Sequence, residues 1–524
     1  MNDQRGNGAS NDGAGNQMLF WGCFMALVAT AFSFVVRGLV IDEWAAEFNL
    51  SDTQKGEILG VGLWPFAVTI VLFSLVIDKI GYGKAMVFAF ACQVGGCALT
   101  IFAEGYESLY AATLMIALGN GTVEAVINPV VATMYAREKT KWLSILHAGW
   151  PGGLVLGGIL AIFLGTDVAW EWKVGLMFLP AAIYGLMLVG RHFPVQERVQ
   201  AGVSFKAMMQ EAGVISCLII VGLMVAEVGR FFEVPPAWQL GVGAVLVIAY
   251  GVYVRSLGRF MFIFLVLIMM PLAITELGTD SWITPLMTAE MARLELHPGW
   301  VLVYTSLIMM ILRFFAGPIV HRLSPLGLLA VSSLLAMIGL LSLSATTGLM
   351  ILVAATIYGF GKTFFWPAML GVVSEQFPGG GALTLNLISG VGVLCVGIIG
   401  TPFLGRVQDE FTNTTLEERD PILYQKVVAE DPKASLFGKY VALDQGKIET
   451  VTSEAEKKTI AQISEEAGKK GLRTVAICPL IMLICYLGLM LYFRAQGGYK
   501  AQVLTGHAAE DEKFTGGTEG PGEG

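Results

Sequence analysis

Residues 119–129, GNGTVEAVINP, place a single carboxylate, Glu124, near the middle of an apolar run from about Ser108 to Met134. A carboxylate at mid-bilayer depth costs roughly 2.5–3.5 kcal/mol on insertion scales, so it must face protein or a water-filled cavity. A second apolar run carries Lys362. Glu124 and Lys362 each stand five residues before a proline, Pro129 and Pro367. Each follows a GxG pair, Gly119–Gly121 and Gly359–Gly361. A lysine is as costly at that depth as a glutamate, and opposite charges make each other tolerable. The expected chemistry is a coupled titration in which protonating Glu124 frees Lys362. The competing reading is an ion pair that only clamps two parts of the chain.

The elements that position these groups follow from hydropathy. The chain has 524 residues, 55% hydrophobic and 14% charged, with mean hydropathy +0.67. Soluble chains carry about 25% charged residues, so this is an all-α polytopic membrane protein. The apolar runs are about 18–40, 57–77, 84–103, 108–134, 143–165 and 173–190, then 213–230 and 237–254. They continue as 259–286, 299–320, 326–346, 348–374, 383–405 and 474–493, about fourteen spans. With the N-terminus inside, the inner loops hold eleven Lys and Arg against four in the short outer loops, as the positive-inside rule requires. The expected location is the cell inner (plasma) membrane with both termini cytoplasmic. The Gly/Asn-rich residues 1–17 read as a disordered tail with no removed signal peptide. The segments expected are a six-helix half at 18–190, a central loop with two extra transmembrane helices at 191–258, and a second half at 259–494. The second half includes an outer loop, 407–472, and a cytoplasmic tail follows at 495–524. Residues 453–470, SEAEKKTIAQISEEAGKK, read as an exposed helix with Glu/Lys pairs. All seven cysteines lie in apolar runs and suit packing.

The halves repeat each other. The first span ends in Asp42-Glu-Trp44 and the ninth in Asp280-Ser-Trp282. Residues 74–84, SLVIDKIGYGK, have a counterpart at 317–327, GPIVHRLSPLG, where His321 replaces the acid. Parallel repeats place their interface, and a solute site, at the midplane. The Asp78-Lys79-x-Gly81-x-x-Lys84 loop resembles the signature of the major facilitator superfamily, and so does the six-plus-six arrangement. That resemblance implies a major facilitator fold with an inserted helix pair, and a cytoplasmic latch of Asp78, Lys79, Gly81 and Lys84, with Arg313 and Arg322 in the other half. Within the superfamily, Glu124-x-x-x-Asn128-Pro129 is similar to the fucose/proton symporter branch of sugar permeases. ITELGTDSW, 274–282, is similar to the acidic start of that branch's seventh helix. The resemblance makes Glu124 the proton-linked, substrate-contacting group. The branch also has an acid in its first helix, where this chain has Gly38 with Arg37 beside it.

The remaining candidates line the same expected interface. Arg37 and Glu276 lie in the outer thirds of the first and ninth spans, where a pair between them would form an outer gate or substrate contacts. Asp42 and Asp280 fit helix-end roles. His147 and Trp150 fall in the fifth span, LSILHAGWPGG. Trp150, Trp366 and Trp64 suit stacking on a sugar ring, and Asn386 in the thirteenth span matches His147 after a one-residue shift. Gly149-Trp-Pro-Gly-Gly153 partly resembles the Gly-Pro stretch of drug/proton antiporters. There is no Walker loop, no metal-ligand cluster and no nucleic-acid footprint, so neither an enzyme nor an ATP-driven pump is expected. The reading is proton-coupled uptake of a sugar or other small polar solute by alternating access. No cofactor is expected beyond a coupling ion, a proton with sodium as the alternative, and the family implies a monomer in the bilayer. Alternatives are an organic-anion or amino-acid symporter, a drug/proton antiporter, and a non-transporting receptor.

Overall fold

The computed structural model describes residues 6–165, 168–297, 299–429, 433–435, 438–502 and 504. The expected tails fall outside it at residues 1–5, 503 and 505–524; so does the side chain of Trp282. The first half comprises α1 (Gly6–Phe48), α2 (Asp52–Val61), α3 (Trp64–Ile80), α4 (Tyr82–Ile101) and α5 (Tyr106–Met134). It continues with α6 (Lys139–Leu146), α7 (Gly149–Leu164), α8 (Trp170–Gly175) and α9 (Phe178–Leu188). The helix α1 starts inside the segment expected to be a loose tail, because adding a residue to an existing helix is far easier than nucleating one. The insert holds α10 (Glu197–Gln200), α11 (Phe205–Phe231) and α12 (Pro236–Val254).

The second half begins with α13 (Phe260–Ala273), a π-turn at Ile274–Gly278, α14 (Thr279–Arg293), α15 (Trp300–Phe314) and α16 (Ala316–Leu323). Next come α17 (Pro325–Ala345), α18 (Met350–Lys362), α19 (Phe365–Gln376) and α20 (Gly381–Cys395). A second π-turn, Val396–Gly400, leads into α21 (Thr401–Arg419). A small unit of α22 (Pro421–Val427), a two-stranded hairpin, α23 (Gln445–Glu449) and α24 (Glu454–Val475) precedes the last helix, α25 (Ile477–Ala495). This unit has its own core, with Leu416, Leu423, Val427 and Ile463 buried. The helix expected at 453–470 is α24, and Arg293 holds its Glu465 at 2.8 Å.

Twelve described helices are long and apolar enough to cross a membrane, or thirteen with the bent pair α15 and α16 taken as one. The remaining expected span, 348–374, the twelfth in chain order, is divided between α18 and α19 by a break at 363–364, so neither part reaches full length. The halves meet along two seams, α3 against α20 and α7 against α15. These are the second and fifth spans of each half, exchanged as a two-fold repeat requires. The pair α11 and α12 sits beside one seam, with α11 against α20, α3 and α13, and α12 mostly exposed.

The GxG motifs have a packing reason. A Cβ on Gly121 would lie 2.4 Å from the Phe66 carbonyl of α3, and one on Gly361 would lie 2.2 Å from the Ala336 nitrogen of α17. Backbones therefore touch directly beside both Glu124 and Lys362. Gly361→Val forces α18 off α17, a strain of about 1–3 kcal/mol. The expected result is a lower apparent melting temperature in detergent, while Gly241→Val, which meets nothing within 4 Å, leaves it unchanged.

Candidate functional site

The centre of the molecule is built on what prolines cannot do. A proline inside a helix has no N–H for the carbonyl four residues earlier. Pro129, Pro151 and Pro367 thus free the carbonyls of Ala125, His147 and Thr363. Each freed carbonyl is taken by a side chain. Asn386 donates Nδ2 to Ala125 O at 3.0 Å, across the two halves. Arg313 donates Nη1 to His147 O and Nε to Thr363 O, both at 2.6 Å. The first of these also crosses between the halves.

Arg313 is 1% exposed and gives its remaining terminal nitrogen, Nη2, to Glu276 Oε1 at 2.9 Å. The other Glu276 oxygen accepts the backbone N–H of Trp366 at 3.2 Å. That N–H belongs to the first turn of α19, where a carboxylate is favoured. Glu276 stands in the π-turn Ile274–Gly278, the irregularity that turns it toward Arg313.

Glu124 belongs to the same chain of contacts without sharing its charge balance. Asn128 donates Nδ2 to Glu124 Oε2 at 2.9 Å and to the Glu124 carbonyl at 3.2 Å. Its Oδ1 lies 2.8 Å from His147 Nε2. The amide nitrogen is committed to Glu124, so Oδ1 must accept and His147 Nε2 must carry the proton. A continuous path then runs Glu124, Asn128, His147, Arg313, Glu276. Among the described residues Glu124 has no cation partner, although it is 5% exposed.

A cavity opens onto this path between the halves. Glu124, His147, Glu276 and Arg313 are its polar lining; Phe66, Ile70, Trp150, Leu277, Trp366 and Val393 are the apolar part. At the end bearing the termini, Lys139 bonds Glu197 at 2.7 Å and the Ser374 carbonyl at 3.3 Å. Thr140 donates to Glu375 at 2.6 Å, and Tyr499 donates to the same carboxylate at 2.8 Å. Of these, the Lys139–Ser374 and Thr140–Glu375 bonds join the halves on that side.

Of the expected site residues, the structure brings Glu124, His147, Trp150, Glu276 and Trp366 to the cavity, with Asn128 directly behind Glu124. It corrects the others. Lys362 does not meet Glu124; it is fully buried on Asp280, with Thr305 at 3.3 Å and the Tyr358 ring at 5.3 Å. Equal offsets from a proline fix helix position, while the lysine's long side chain turns into its own half. Asp280 is therefore an ion-pair partner, with no mere helix-end role. Arg37 does not pair with Glu276 and lines a different cavity. Asn386 serves a backbone carbonyl. Trp64 packs on Phe231 and Phe232 at 5.6 and 5.9 Å.

Arg313 is no latch residue but the centre of the site. The latch itself pairs Asp78 with Arg198 of the insert, sets Lys79 5.6 Å from the Phe205 ring, and turns at Gly81 with φ +88°. Lys84 and Arg322 are exposed, and His321 reaches Glu138 of the other half at 3.3 Å. Sequence reasoning missed Phe66, Ile70, Leu277 and Val393, apolar residues indistinguishable from their neighbours. The three prolines were the available signal for Arg313 and Asn386, through the carbonyls they free.

This arrangement, two bundles around a central cavity, matches a known class. The family model described as Major Facilitator Superfamily matches residues 22–292, and the chain belongs to that superfamily. Its members are generally transporters and not enzymes. The cis,cis-muconate transport protein of Acinetobacter baylyi is 26% identical over 185 residues, 34% of this chain and 43% of that protein. The chain matches less than half the length of each such curated relative. Among solved structures, the human organic anion transporter MFSD10 (TETRAN) aligns with TM-score 0.56 and 12% identity, covering 90% of this chain and 98% of that one. The E. coli fucose:proton symporter FucP aligns with TM-score 0.53 and 15% identity, covering 89% and 98%. These likenesses establish the fold.

The carbonyl account predicts a specific coupling. Asn386→Ala leaves Ala125 O unpaired at a buried interface, a loss of about 1–3 kcal/mol. In a Pro129→Ala background the helix supplies its own N–H, so the same Asn386→Ala change costs less. Melting temperatures of the two single variants and the double variant form the cycle, and strict additivity would refute the assignment.

Proposed function

We propose that the chain is a proton-coupled secondary transporter of the cytoplasmic membrane, with both termini cytoplasmic, that works as a monomer. Glu124 carries the proton, and the solute binds in the cavity between the halves. The observation that carries this reading is the contrast between neighbouring charges. Arg313 cancels Glu276 and Asp280 cancels Lys362, whereas Glu124 is left with a neutral amide. A buried carboxylate so placed is relieved by taking up a proton or by meeting a cation.

Charge therefore dictates the direction of coupling. A neutral or anionic solute shares the cavity with a protonated Glu124, which is symport. A cationic solute replaces the proton, which is antiport. Loading removes the isolated charge and lets the halves rock. The Arg313–His147 and Asn386–Ala125 bonds, with the Lys139 and Thr140 contacts, are those that break as the closed side opens. Trp150, Trp366 and Phe66 present ring faces suited to a sugar or another compact ring-bearing solute. The fold shared with the fucose:proton symporter supports the sugar reading. A small organic acid is the second reading, favoured by the unmatched charge of Glu124, which makes proton loading obligatory before an anion enters. The likeness to muconate and organic anion transporters supports it.

Proteoliposomes with an internal pH dye test this. A pH gradient should drive accumulation of one compound from a panel of neutral sugars, organic acids and organic cations. Glu124→Gln should abolish accumulation while leaving exchange of labelled for unlabelled solute intact, because loading without proton release still permits exchange. Gradient-driven accumulation surviving in Glu124→Gln would overturn the assignment. A response confined to carboxylates would select the second reading, and proton efflux on adding a cation would replace symport by antiport. Uptake driven by sodium alone would remove the proton from the scheme.

A further inference from the structure

A second, small cavity lies inside the first half between α1, α4, α5 and α8. Arg37, Trp44, Ser33, Thr100 and Thr113 are among the residues that line it. Arg37 is 7% exposed and makes no hydrogen bond or ion pair among the described residues. Its nearest partner is the face of Phe34, 4.9 Å from Cζ. Gly62, at the break between α2 and α3, makes the room, since a Cβ there would lie 2.2 Å from Arg37 Cζ. Trp44 lies seven residues on, two turns along the same face, and its Nε1–H is likewise buried without an acceptor. A buried guanidinium without an anion and a buried N–H without an acceptor are each costly.

Of the lining hydroxyls, those of Ser33 and Thr100 are already committed. Ser33 donates to Thr30 O at 2.7 Å and accepts from Asn120 at 2.9 Å, and Thr100 donates to Gly96 O at 2.9 Å. The acids that follow on α1 are engaged elsewhere. Asp42 meets Lys55 at 3.4 Å, Glu43 holds Lys173 at 2.6 Å, and Glu47 accepts from Trp170 Nε1 at 2.5 Å. One positive charge and two free donors belong to residues around a single cavity, and the described residues supply it no anion.

We propose that Arg37 and Trp44 form an anion-binding site within the first half, separate from the central cavity, that takes chloride or a small monocarboxylate. The site adjoins the transport route without joining it. Phe34, on which Arg37 rests, packs at 5.7 Å on Phe66 and 5.6 Å on Trp150, both of which line the central cavity. An anion there would hold Arg37, and through Phe34 would brace that wall.

The test uses the full chain in detergent micelles, with sodium HEPES replaced stepwise by sodium chloride or sodium acetate at constant sodium. The apparent melting temperature should rise and saturate with one or both anions. Chloride alone assigns an inorganic halide, acetate alone a carboxylate, and both together the shared anion chemistry. Arg37→Gln should raise the half-saturating concentration by at least about tenfold, the loss of a charged hydrogen bond. Trp44→Phe, which removes only the N–H, should raise it by a smaller factor, and it serves if Arg37→Gln does not fold. Glu124→Gln should respond as wild type does, which separates this site from the proton site. No saturable, anion-specific rise in wild type would overturn the proposal. So would an unchanged response in Arg37→Gln and Trp44→Phe, or a response lost in Glu124→Gln.

Discussion

A backbone carbonyl without its partner is intolerable in the middle of a membrane, and three prolines around the central cavity create three of them. The rest of the site follows from how they are satisfied. Arg313 answers two and Asn386 the third, and two of these three bonds run from one half to the other. In water such carbonyls would bind solvent and the halves would owe each other nothing. At this depth the donors must come from protein, so the residues that bend the helices also join the bundles. A helix defect has become an interface contact. An interface of few, directional hydrogen bonds suits two bodies that must part and rejoin.

Arg313 also explains why one carboxylate of the cavity is inert to the charge argument and the other is not. Its guanidinium fork spans a carbonyl on each half and still reaches Glu276. A lysine, with one point of charge, could not make these three contacts in fixed directions. Glu124 receives only an amide. The two repeats thus supply acids to one cavity in unlike electrostatic settings, Glu276 beside a guanidinium and Glu124 beside an amide.

The repeat was legible in the residues, and its limits show in Lys362. Counting from Pro129 and Pro367 placed Glu124 and Lys362 at equivalent positions, and both are buried. The count said nothing about rotamers. Asp280, one helix turn from Glu276 and in the same half, lies within reach of Lys362 and takes its charge. Arg313 was misplaced for the opposite reason. Near the end of its apolar run it reads as an interfacial cation, but α15 ends at a sharp bend into α16, so that end lies inside the protein.

By itself the sequence determined that this chain crosses a membrane many times, in two related sets of helices, with a carboxylate at Glu124 that needs a polar surround. Those conclusions rest on solvation, which is local: twenty apolar residues, a charge among them and a proline beside it carry the same meaning wherever the helix is packed. Only the tertiary structure decided which charge meets which. It gave Lys362 to Asp280, Arg313 to Glu276 and two carbonyls, and left Glu124 and Arg37 without counter-charges. Pairing depends on side-chain direction and on the approach of helices far apart in sequence, and hydropathy carries no information about either.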